Sequence, residues 1–373
     1  MILHLVNDEK IINRTVRLFE SAAPGKHLFV VFASSKRFKY VTPSASVISK
    51  ADFFKRKDRC VFSSVVIHFL NTRKIRFIKK CGLRNIPVYW IIWGADLYNK
   101  LLEPQGFEMY YRSEASYGSC GILRTLFVPF QKMRTAIRVN KTIKFVRNRV
   151  NYLVTDTTEN DYEKFIQYYP EMKKIPWRDF FYYPIDEILG ETLVNAQVAG
   201  DNILMGNSGS LTNNHEYAYE YLSGLNLGNR KLIVPLSYSG SKNYKKIVIE
   251  RGKNLFGENF CPLTDFLPLA EYNELMTSAA VAIYANWRQE AIGNIIIALY
   301  LGAKVFISGR NPVFAWAQGH DLIVSELEGL TQRELDTPLT AEEKLHNRRI
   351  LAELYNKERF SDLVKDTFQL ADL

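Results

Sequence analysis

Short apolar runs rich in β-branched and aromatic residues alternate with helical patterns along the whole chain. Helical periodicity covers Ile12–Ser21 and Thr72–Lys80, for example. The strands predicted in the first half are Ile2–Val6, Leu28–Ala33, Val65–Leu70, Val88–Ile92 and Tyr152–Val154. Strands separated by helices of this length indicate βαβ units and mostly parallel sheets.

The alternation repeats after a looser segment around Pro184–Gln197. The second-half strands are predicted at Ile203–Met205, Leu232–Pro235, Ala280–Tyr284 and Lys304–Ile307. The helices between them are predicted at Glu216–Ser223, Tyr244–Lys253, Leu269–Ser278 and Ala291–Leu301. Thr340-Ala-Glu-Glu343 has the spacing of a capping box, which should open a helical tail that continues to the C-terminus.

The length of 373 residues exceeds one typical core. We therefore predict an α/β protein of two Rossmann-like domains, residues 1–190 and 191–373, whose parallel sheets face each other across a cleft. The last helix can pack back on the first domain. Ligands of such sheets bind at the carboxyl ends of the strands, so residues that follow strands are the candidates for function.

Charge is distributed unevenly between the two halves. Residues 1–190 contain 32 Lys/Arg against 17 Asp/Glu, and the remainder contains 17 against 22, so a net +15 meets a net −5. A basic half predicts a polyanionic partner, which can be an anionic membrane surface or a nucleic acid. The sequence contains no uninterrupted run of 18 apolar residues, so no membrane span is predicted, and its start lacks the pattern of a signal peptide. Four scattered cysteines, Cys60, Cys81, Cys120 and Cys261, favour reduced thiols in a cytoplasm.

The segment after Ile203–Met205 carries the strongest functional signal. Gly206-Asn207-Ser208-Gly209 follows this strand, and a helical pattern begins near Asn214. Glycines allow a close backbone approach, and a helix start suits an anion such as a diphosphate. The motif matches neither a Walker loop nor a dinucleotide fingerprint. A purely structural turn is about as frequent as a functional one. Tyr238, after the next strand, could stack on a base or pack in its loop.

A second candidate follows the strand Ala280–Tyr284. Arg288 and Gln289 precede the helix start at Ile292-Gly293-Asn294. The guanidinium and the free N–H groups of this helix start would together hold a diphosphate leaving group. Asn311-Pro312, after the following strand, is the ordinary start of another helix.

Acceptor-site candidates lie in the first half. Asp96 follows the strand Val88–Ile92 and could act as a general base with a pKa raised by burial, although N-capping is the more frequent role. His68 ends another strand, where a structural hydrogen bond is the more frequent role. Asn13 follows the first strand, and the neighbouring Arg14 could bind an anionic acceptor group or remain a solvated surface residue.

A basic segment runs from Arg124 to Arg149. No acidic residue occurs between Glu114 and Asp156. Two readings stay open, a membrane-surface helix that uses Arg134, Arg138, Lys141 and Lys144, and a core-packed helix with a solvated basic face. Apolar residues recur there at near-helical spacing, namely Leu123, Leu126, Phe127, Phe130, Met133, Ile137, Val146 and Val150.

The chain has no Asp-x-Asp sequence and no His/Cys metal spacing. We therefore expect no metal ion and no other cofactor, with helix dipoles and arginine stabilising the charge of a departing diphosphate. That chemistry suits group transfer from a nucleotide-diphosphate donor.

In order along the chain, several blocks resemble glycosyltransferase family 56. They are Asn13-Arg14-Thr15, Trp93-Gly-Ala-Asp-Leu-Tyr98, Gly206-Asn-Ser-Gly209, Val234-Pro235, Arg288-Gln289 with Ile292-Gly293, and Asn311-Pro312. The resemblance implies a GT-B fold, metal independence and peripheral attachment to the cytoplasmic face of the inner membrane. It places Gly206–Gly209, Arg288 and Ile292–Asn294 on the donor, with Asp96, Asn13 and Arg14 toward the acceptor. The chain departs from the family pattern at Glu290-Ala291, where Gln-Gly is expected.

The resemblance implies transfer of a TDP-activated deoxyamino sugar, such as 4-acetamido-4,6-dideoxygalactose, to a polyprenyl-diphosphate-linked glycan of a bacterial surface polysaccharide. A UDP- or GDP-linked donor, for example of fucose, is the alternative. The rival hypothesis from another class is a nucleic-acid-binding protein whose basic half contacts phosphates, but the chain lacks an RNA-binding aromatic signature and a recognition helix, so nucleic acid is not the expected partner. A catalytically inactive polyanion- or sugar-nucleotide-binding protein is a third hypothesis.

Overall fold

A computed structural model describes residues 1–35, 37–56, 61–111, 122–156 and 159–369. By its contacts the chain divides into two compact units. Unit 1 contains Met1–Phe107, Val128–Pro184 and Tyr355–Leu373, and unit 2 contains Glu108–Phe127 and Ile185–Leu354. Of the cysteines, Cys81 and Cys261 are free thiols, while Cys60 and Cys120 lie outside the described residues.

Unit 1 is built on a parallel sheet. Its strands are β1 (Ile2–Asn7), β2 (His27–Phe32), β3 (Val47–Ser49), β4 (Ser64–His68), β5 (Val88–Ile92), β6 (Tyr152–Asp156) and β7 (Trp177–Phe180). Its helices are α1 (Ile12–Ala22), α2 (Lys50–Lys55), α3 (Thr72–Lys80), α4 (Ile122–Arg149, in this unit from Val128), α5 (Glu159–Tyr168) and the C-terminal α14 (Lys357–Thr367).

Unit 2 repeats the plan. Its strands are β8 (Asn202–Met205), β9 (Leu232–Pro235), β10 (Phe260–Leu263), β11 (Ala279–Tyr284), β12 (Lys304–Ile307) and β13 (Ser325–Glu326). Its helices are α6 (Ile185–Leu193), α7 (His215–Leu222), α8 (Lys242–Phe256), α9 (Leu269–Ser278), α10 (Ile292–Leu301), α11 (Pro312–Gly319), α12 (Gln332–Asp336) and α13 (Ala341–Leu354).

The strand order of each sheet contains one reversal. The first sheet runs β3-β2-β1-β4-β5-β6-β7 and the second runs β10-β9-β8-β11-β12-β13. All the pairings between these strands are parallel. The order therefore reverses between β1 and β4 in unit 1 and between β8 and β11 in unit 2. Such a reversal opens a crevice at the carboxyl ends of the two strands, where open α/β sheets bind ligands.

The central strands are confirmed, and the strands that the apolar pattern did not predict are β3, β7, β10 and β13. All four lie at a sheet edge. An edge strand is not covered on every side, so its sequence mixes polar with apolar residues, as in Trp-Arg-Asp-Phe of β7. The Pro262 ring in β10 also fits an edge position, because proline donates no ladder hydrogen bond.

The C-terminal region corrects one expectation. The capping box is confirmed, since the Glu343 N–H donates to Thr340 Oγ1 at 3.2 Å and the Thr340 N–H donates to Glu343 Oε2 at 2.7 Å. The helical tail, however, is broken at Tyr355-Asn356. Asn356 starts α14 afresh by accepting from the Arg359 N–H at 2.7 Å. This last helix belongs to unit 1, whereas α13 before it belongs to unit 2.

Candidate functional site

The segments that follow β8 and β11 meet at the strand-order reversal of unit 2. The Gly206 N–H donates to the Ile283 carbonyl at 2.8 Å, and Asn286 Nδ2 donates to the Thr212 carbonyl at 2.9 Å. The side chain of Asn214, which precedes α7, donates to the Ala285 carbonyl at 3.1 Å. The structure therefore brings the glycine turn and the arginine-bearing loop together, as their positions after two strands predicted.

Close packing explains the glycines of the turn. Gly206 has a φ of +72°, and a Cβ there would lie 2.7 Å from Asn213 Oδ1. At Gly209 a Cβ would lie 2.6 Å from Cε of Lys245. The next loop presses on the same turn, because a Cβ on Gly240 would clash with the Gly209 carbonyl oxygen. At Gly206 and Gly240 both the left-handed conformation and the lack of space call for glycine, whereas at Gly209 only the lack of space does.

Three N–H groups of this segment already donate within unit 2. The Gly206 N–H is bound to Ile283, the Asn207 N–H donates to Asn213 Oδ1 at 2.9 Å, and the Gly209 N–H donates to the Tyr238 carbonyl at 2.8 Å. An N–H that already donates inside the protein is not free to hold a phosphate. These bonds join the turn to β11 and to the loop after β9, and a donor-binding role for the turn stays a prediction. Ser208 is buried, and its Oγ accepts from Asn213 Nδ2 at 3.0 Å.

The loop after β11 holds a buried ion pair. Arg288 is 7% exposed, and its Nη2 lies 3.0 Å from Oε2 of Glu290. Its Nη1 donates to the Gln289 carbonyl at 2.8 Å. Asn286 Nδ2 donates to the same Glu290 oxygen at 3.1 Å. A cation and an anion this deeply buried are stable only as partners or with a ligand.

The helix that follows this loop begins without a side-chain cap. Its N-cap residue, Ala291, has a φ of +63°, the conformation that the expected glycine would adopt without strain. Ile292, Gly293 and Asn294 form the first turn of α10 and are half-buried. A Cβ on Gly293 would meet nothing within 4 Å, so space is open beside this turn. Uncapped N–H groups and the helix dipole favour an anion there.

Several buried polar atoms around these loops have no hydrogen-bond partner among the described residues. Buried polar groups are nearly always paired, so a cluster of unpaired ones indicates a place where a ligand or water completes the bonds. They follow the adjacent strands β8, β11 and β12. The atoms are Asn207 Oδ1, His215 Nε2, Asn286 Oδ1, Trp287 Nε1, Arg288 Nε and Asn311 Nδ2.

His215, Asn286 and Glu290 were missed by the sequence analysis, although each lies within a few residues of a predicted candidate. Burial lowers the pKa of His215 to about 3, so its ring is neutral, and Nδ1 lies 2.8 Å from the Tyr244 hydroxyl. Asn311 caps α11, as expected, by accepting from the Val313 N–H at 3.0 Å. Tyr238, by contrast, is 62% exposed. Its carbonyl accepts from the Gly209 N–H, which places Tyr238 beside the glycine turn.

In unit 1, Asp96 is buried and ties together the carboxyl ends of β4 and β5. Its Oδ2 accepts from the Leu70 N–H and from Trp90 Nε1, both at 2.7 Å, and its Oδ1 accepts from the Trp93 N–H at 2.9 Å. Burial raises its pKa, as expected from the sequence. Through these three hydrogen bonds Asp96 positions the loops that follow β4 and β5. Its role as a general base stays a prediction, and it requires an acceptor hydroxyl to reach a carboxylate that is 1% exposed.

His68 belongs to a buried chain of hydrogen bonds. Its Nε2 lies 3.0 Å from His4 Nδ1, and His4 Nε2 lies 3.0 Å from His27 Nδ1. On the other side, His68 Nδ1 lies 2.7 Å from the Tyr182 hydroxyl, to which Trp93 Nε1 donates at 2.5 Å. His68 therefore has the structural environment that the sequence analysis considered the more frequent one.

A lysine that the sequence analysis did not consider is buried at the strand-order reversal of unit 1, after β4. Lys74 is fully buried, and its Nζ donates to the His68 carbonyl and, at 3.0 Å, to the Phe69 carbonyl. Phe69 has a φ of +65°, so the lysine holds a strained turn after β4. Burial lowers the pKa of Lys74 to about 7.

Asn13 and Arg14 lie near the start of α1. The Asn13 side chain fixes the segment after β2, since Oδ1 accepts from the Thr42 N–H at 2.9 Å and Nδ2 donates to the Tyr40 carbonyl at 3.0 Å. The Arg14 guanidinium lies over the Tyr183 ring, 5.1 Å from its centre. An acceptor role for either residue stays a prediction.

The burial of the apolar side chains changes along α4. Val146 and Val150 are buried with Val139 and Ile143, so the second half of the segment packs on unit 1. Phe130, Met133 and Ile137 are instead exposed by 52%, 52% and 46%. Arg134, Arg138, Lys141 and Lys144 are exposed too. The side chains of Leu123, Leu126 and Phe127 lie outside the described residues.

Two features are absent from the described residues. No group of His, Cys, Asp and Glu side chains there is arranged to hold a metal ion. Among the described helices, none has the length and the apolar character that crossing a membrane requires.

Solved structures of the same fold match this chain over its full length. The structure of Anabaena Alr3699/HepE in complex with UDP and glucose has a TM-score of 0.63 at 11% identity and covers 100% of both chains. Sucrose-phosphate synthase from Thermosynechococcus elongatus has a TM-score of 0.65 at 11% identity, over 100% of this chain and 99% of that chain. An α,α-trehalose-phosphate synthase (UDP-forming) from Burkholderia vietnamiensis has a TM-score of 0.60 at 11% identity over the same shares. At this identity the likeness shows the fold, and the expected GT-B class is confirmed.

A family model supplies the finer assignment. The model described as 4-alpha-L-fucosyltransferase glycosyl transferase group 56 matches residues 145–348, which is more than half of the chain. The match includes both loops at the strand-order reversal of unit 2 and the start of α10. It confirms the resemblance found in the sequence, and the chain belongs to glycosyltransferase group 56.

Proposed function

We propose that this protein transfers a deoxyamino sugar, such as 4-acetamido-4,6-dideoxygalactose, from a TDP-sugar to a polyprenyl-diphosphate-linked glycan of a bacterial surface polysaccharide. In this reaction an acceptor hydroxyl forms a bond to the anomeric carbon of the sugar. The bond from that carbon to the diphosphate breaks, the hydroxyl proton passes to a base, and TDP leaves. Unit 2 would bind the donor and unit 1 the acceptor.

One observation carries this proposal, namely the buried Arg288 directly before the uncapped start of α10. The departing diphosphate gains negative charge in the transition state, and a guanidinium with a helix N-terminus stabilises such charge. The unpaired atoms of Asn207, Asn286 and Asn311 supply neutral partners in the same loops. With this charge stabilisation built into the protein, we propose transfer that needs no metal ion.

The other residues proposed to contact the sugar nucleotide lie in the loops around Arg288 and the glycine turn. The exposed ring of Tyr238 can stack on the base. Gln289 is buried, and its main-chain carbonyl is bound to Arg288, so its side chain would act beside the first turn of α10. The Gly206–Gly209 turn would support the donor by shape, because three of its N–H groups already donate within unit 2.

A donor panel tests the reaction. TDP-, UDP- and GDP-linked sugars are each incubated with a polyprenyl-diphosphate-linked glycan, and the released nucleoside diphosphate and the elongated lipid are quantified. Transfer from the TDP-sugar supports the proposal, and selective transfer from a UDP- or GDP-sugar selects the alternative donor. Binding of a sugar nucleotide without transfer to any acceptor, or hydrolysis, would indicate an inactive binding protein.

We also propose that α4 attaches the protein to the cytoplasmic face of the inner membrane. Phe130, Met133 and Ile137 recur at helical spacing and are all exposed. Exposed basic side chains accompany them, among which the Arg134 guanidinium lies 5.4 Å from the centre of the Phe130 ring. Apolar side chains that enter the interface and basic ones that contact anionic headgroups are typical of a peripheral membrane helix.

Vesicle binding tests this surface. The triple variant Phe130→Ser, Met133→Ser, Ile137→Ser should bind vesicles with anionic lipid at least about tenfold more weakly than the unmodified protein, given the transfer energy of exposed apolar side chains. Leu345→Ser is the matched control, because Leu345 is 67% exposed on unit 2. Equal binding of both variants would exclude the α4 surface. Tighter binding to generic RNA than to vesicles would favour the nucleic-acid hypothesis.

A further inference from the structure

The carboxylate of Glu290 occupies the position in which an anionic ligand of Arg288 would be bound. Its Oε2 lies 3.0 Å from Arg288 Nη2 and accepts from Asn286 Nδ2 at 3.1 Å. The side chain of Glu290 is 15% exposed and that of Arg288 is 9% exposed, so water screens this pair only weakly. Glu290 thus makes the two contacts by which a phosphate oxygen would be recognised.

The backbone places this carboxylate at the start of α10. Glu290 lies two residues before Ile292, the first residue of the helix, and negative charge is favourable there. Ala291, between them, is held at a φ of +63°. An L-residue in this conformation is strained, so a change in the backbone at Ala291 that moves Glu290 would release strain. The start of α10 therefore favours Glu290 at this position in the unliganded protein, while the strain at Ala291 favours its displacement.

The remaining donors of Arg288 show what a ligand would gain. Nη1 is bound to a main-chain carbonyl, and Nε has no partner among the described residues. A diphosphate that approached Arg288 with Glu290 in place would be repelled by the carboxylate that already contacts the guanidinium. The ligand must displace Glu290 to reach the guanidinium fully.

We propose that Glu290 is an internal, displaceable carboxylate that holds Arg288 in the empty donor site and leaves it when a diphosphate binds. This inference rests on the proposed function, since it assigns the site to a nucleoside diphosphate. The exchange makes the site select for charge. An uncharged nucleoside cannot replace the carboxylate, whereas a diphosphate carries enough negative charge to do so.

Calorimetric titration with TDP, UDP, GDP and inorganic pyrophosphate tests the exchange. Glu290→Gln keeps the size of the side chain and removes its charge, so the preferred nucleoside diphosphate and pyrophosphate should bind about tenfold tighter or more. Affinity for thymidine or uridine should not change. Glu334→Gln is the matched control. Glu334 also pairs with a cation, Lys304 at 2.7 Å, but Lys304 begins β12 and so lies at the opposite edge of the sheet from the donor site.

The outcomes separate the inference from the proposed function. Tighter diphosphate binding by Glu290→Gln, with Glu334→Gln unchanged, supports the exchange. Unchanged or weaker binding by Glu290→Gln would overturn it and leave the donor site of the unmodified protein in place. If no variant bound any nucleoside diphosphate or pyrophosphate, the proposed function would fail as well. Glu290→Ala, which cannot contact Arg288, should also bind tighter, and it provides the same test if the glutamine variant does not fold.

Discussion

Acidification should destabilise unit 1 through its buried histidines. His4, His27 and His68 form one hydrogen-bonded chain with Tyr182 and Trp93. An indole N–H can only donate, so the Tyr182 hydroxyl accepts from Trp93 and gives its own proton to His68 Nδ1. His68 Nε2–H then donates to His4, and His4 Nε2–H donates to His27. Each ring carries one proton, and a second proton on His4 or His27 would place two N–H groups against each other.

Burial keeps these rings neutral. It lowers the pKa of His4 and of His68 well below the ordinary value of 6.5, and it lowers the pKa of His27 to about 4. Neighbouring histidines add to the effect at His4, and Lys74 adds to it at His68. In the unfolded chain each histidine titrates near its ordinary pKa, so below that pH the unfolded state binds more protons than the folded state.

The sign and the size of the change in unfolding free energy with pH follow from proton linkage. Stability falls as the pH falls through 6.5, and the loss continues until the folded rings themselves protonate, which for His27 is at about pH 4. At pH 5 His27 alone contributes a loss of about 2 kcal/mol, and the lowered pKa values of His4 and His68 add to the loss in the same direction. A loss of this size is a large fraction of the stability of a typical domain.

Urea unfolding at pH 7.5, 6.0 and 5.0, followed by the fluorescence of the tryptophans, measures this loss. In the variant His27→Asn the side-chain oxygen can still accept from His4, but one titrating ring is gone, so the loss between pH 7.5 and 5.0 should be smaller by about 2 kcal/mol. A stability that stays constant or rises on acidification would refute the reasoning, as would a His27→Asn variant with an unchanged pH dependence.

Further predictions concern the two strand-order reversals. Gly240→Ala should lower the free energy of unfolding of unit 2 by about 2 kcal/mol or more, because its Cβ would clash with the Gly209 carbonyl at a φ of +72°; thermal melting measures it. Ala291→Gly should raise the melting temperature slightly, since glycine removes the left-handed strain, and a lower value would contradict that strain. Asp96→Ala should cost about 3 kcal/mol or more by leaving three buried N–H groups unpaired, and an inactive variant of unchanged stability would instead indicate catalysis. Arg288→Gln should lower kcat/KM for the donor about 100-fold, measured well below the melting temperature of the variant because the change also leaves Glu290 buried without its cation; a normal kcat/KM would remove Arg288 from the donor site.

The sequence by itself determined the fold class and the central strands. β1, β4, β5, β8 and β11 are buried strands of parallel sheets and read as continuous apolar runs. The capping box at Thr340 was also readable, because its two hydrogen bonds join residues three positions apart. The edge strands were not readable, because their residues need not be apolar to pair.

The tertiary structure decided which candidate side chains are free to act. The sequence places Gly206–Gly209 and Arg288 after adjacent strands, but it does not show that the N–H groups of the turn are already used or that Glu290 holds the arginine. Likewise, the apolar residues of α4 share one sequence pattern, and only packing separates the buried Val146 from the exposed Met133. Periodicity is a local property, whereas burial and hydrogen-bond saturation depend on neighbours that are distant along the chain.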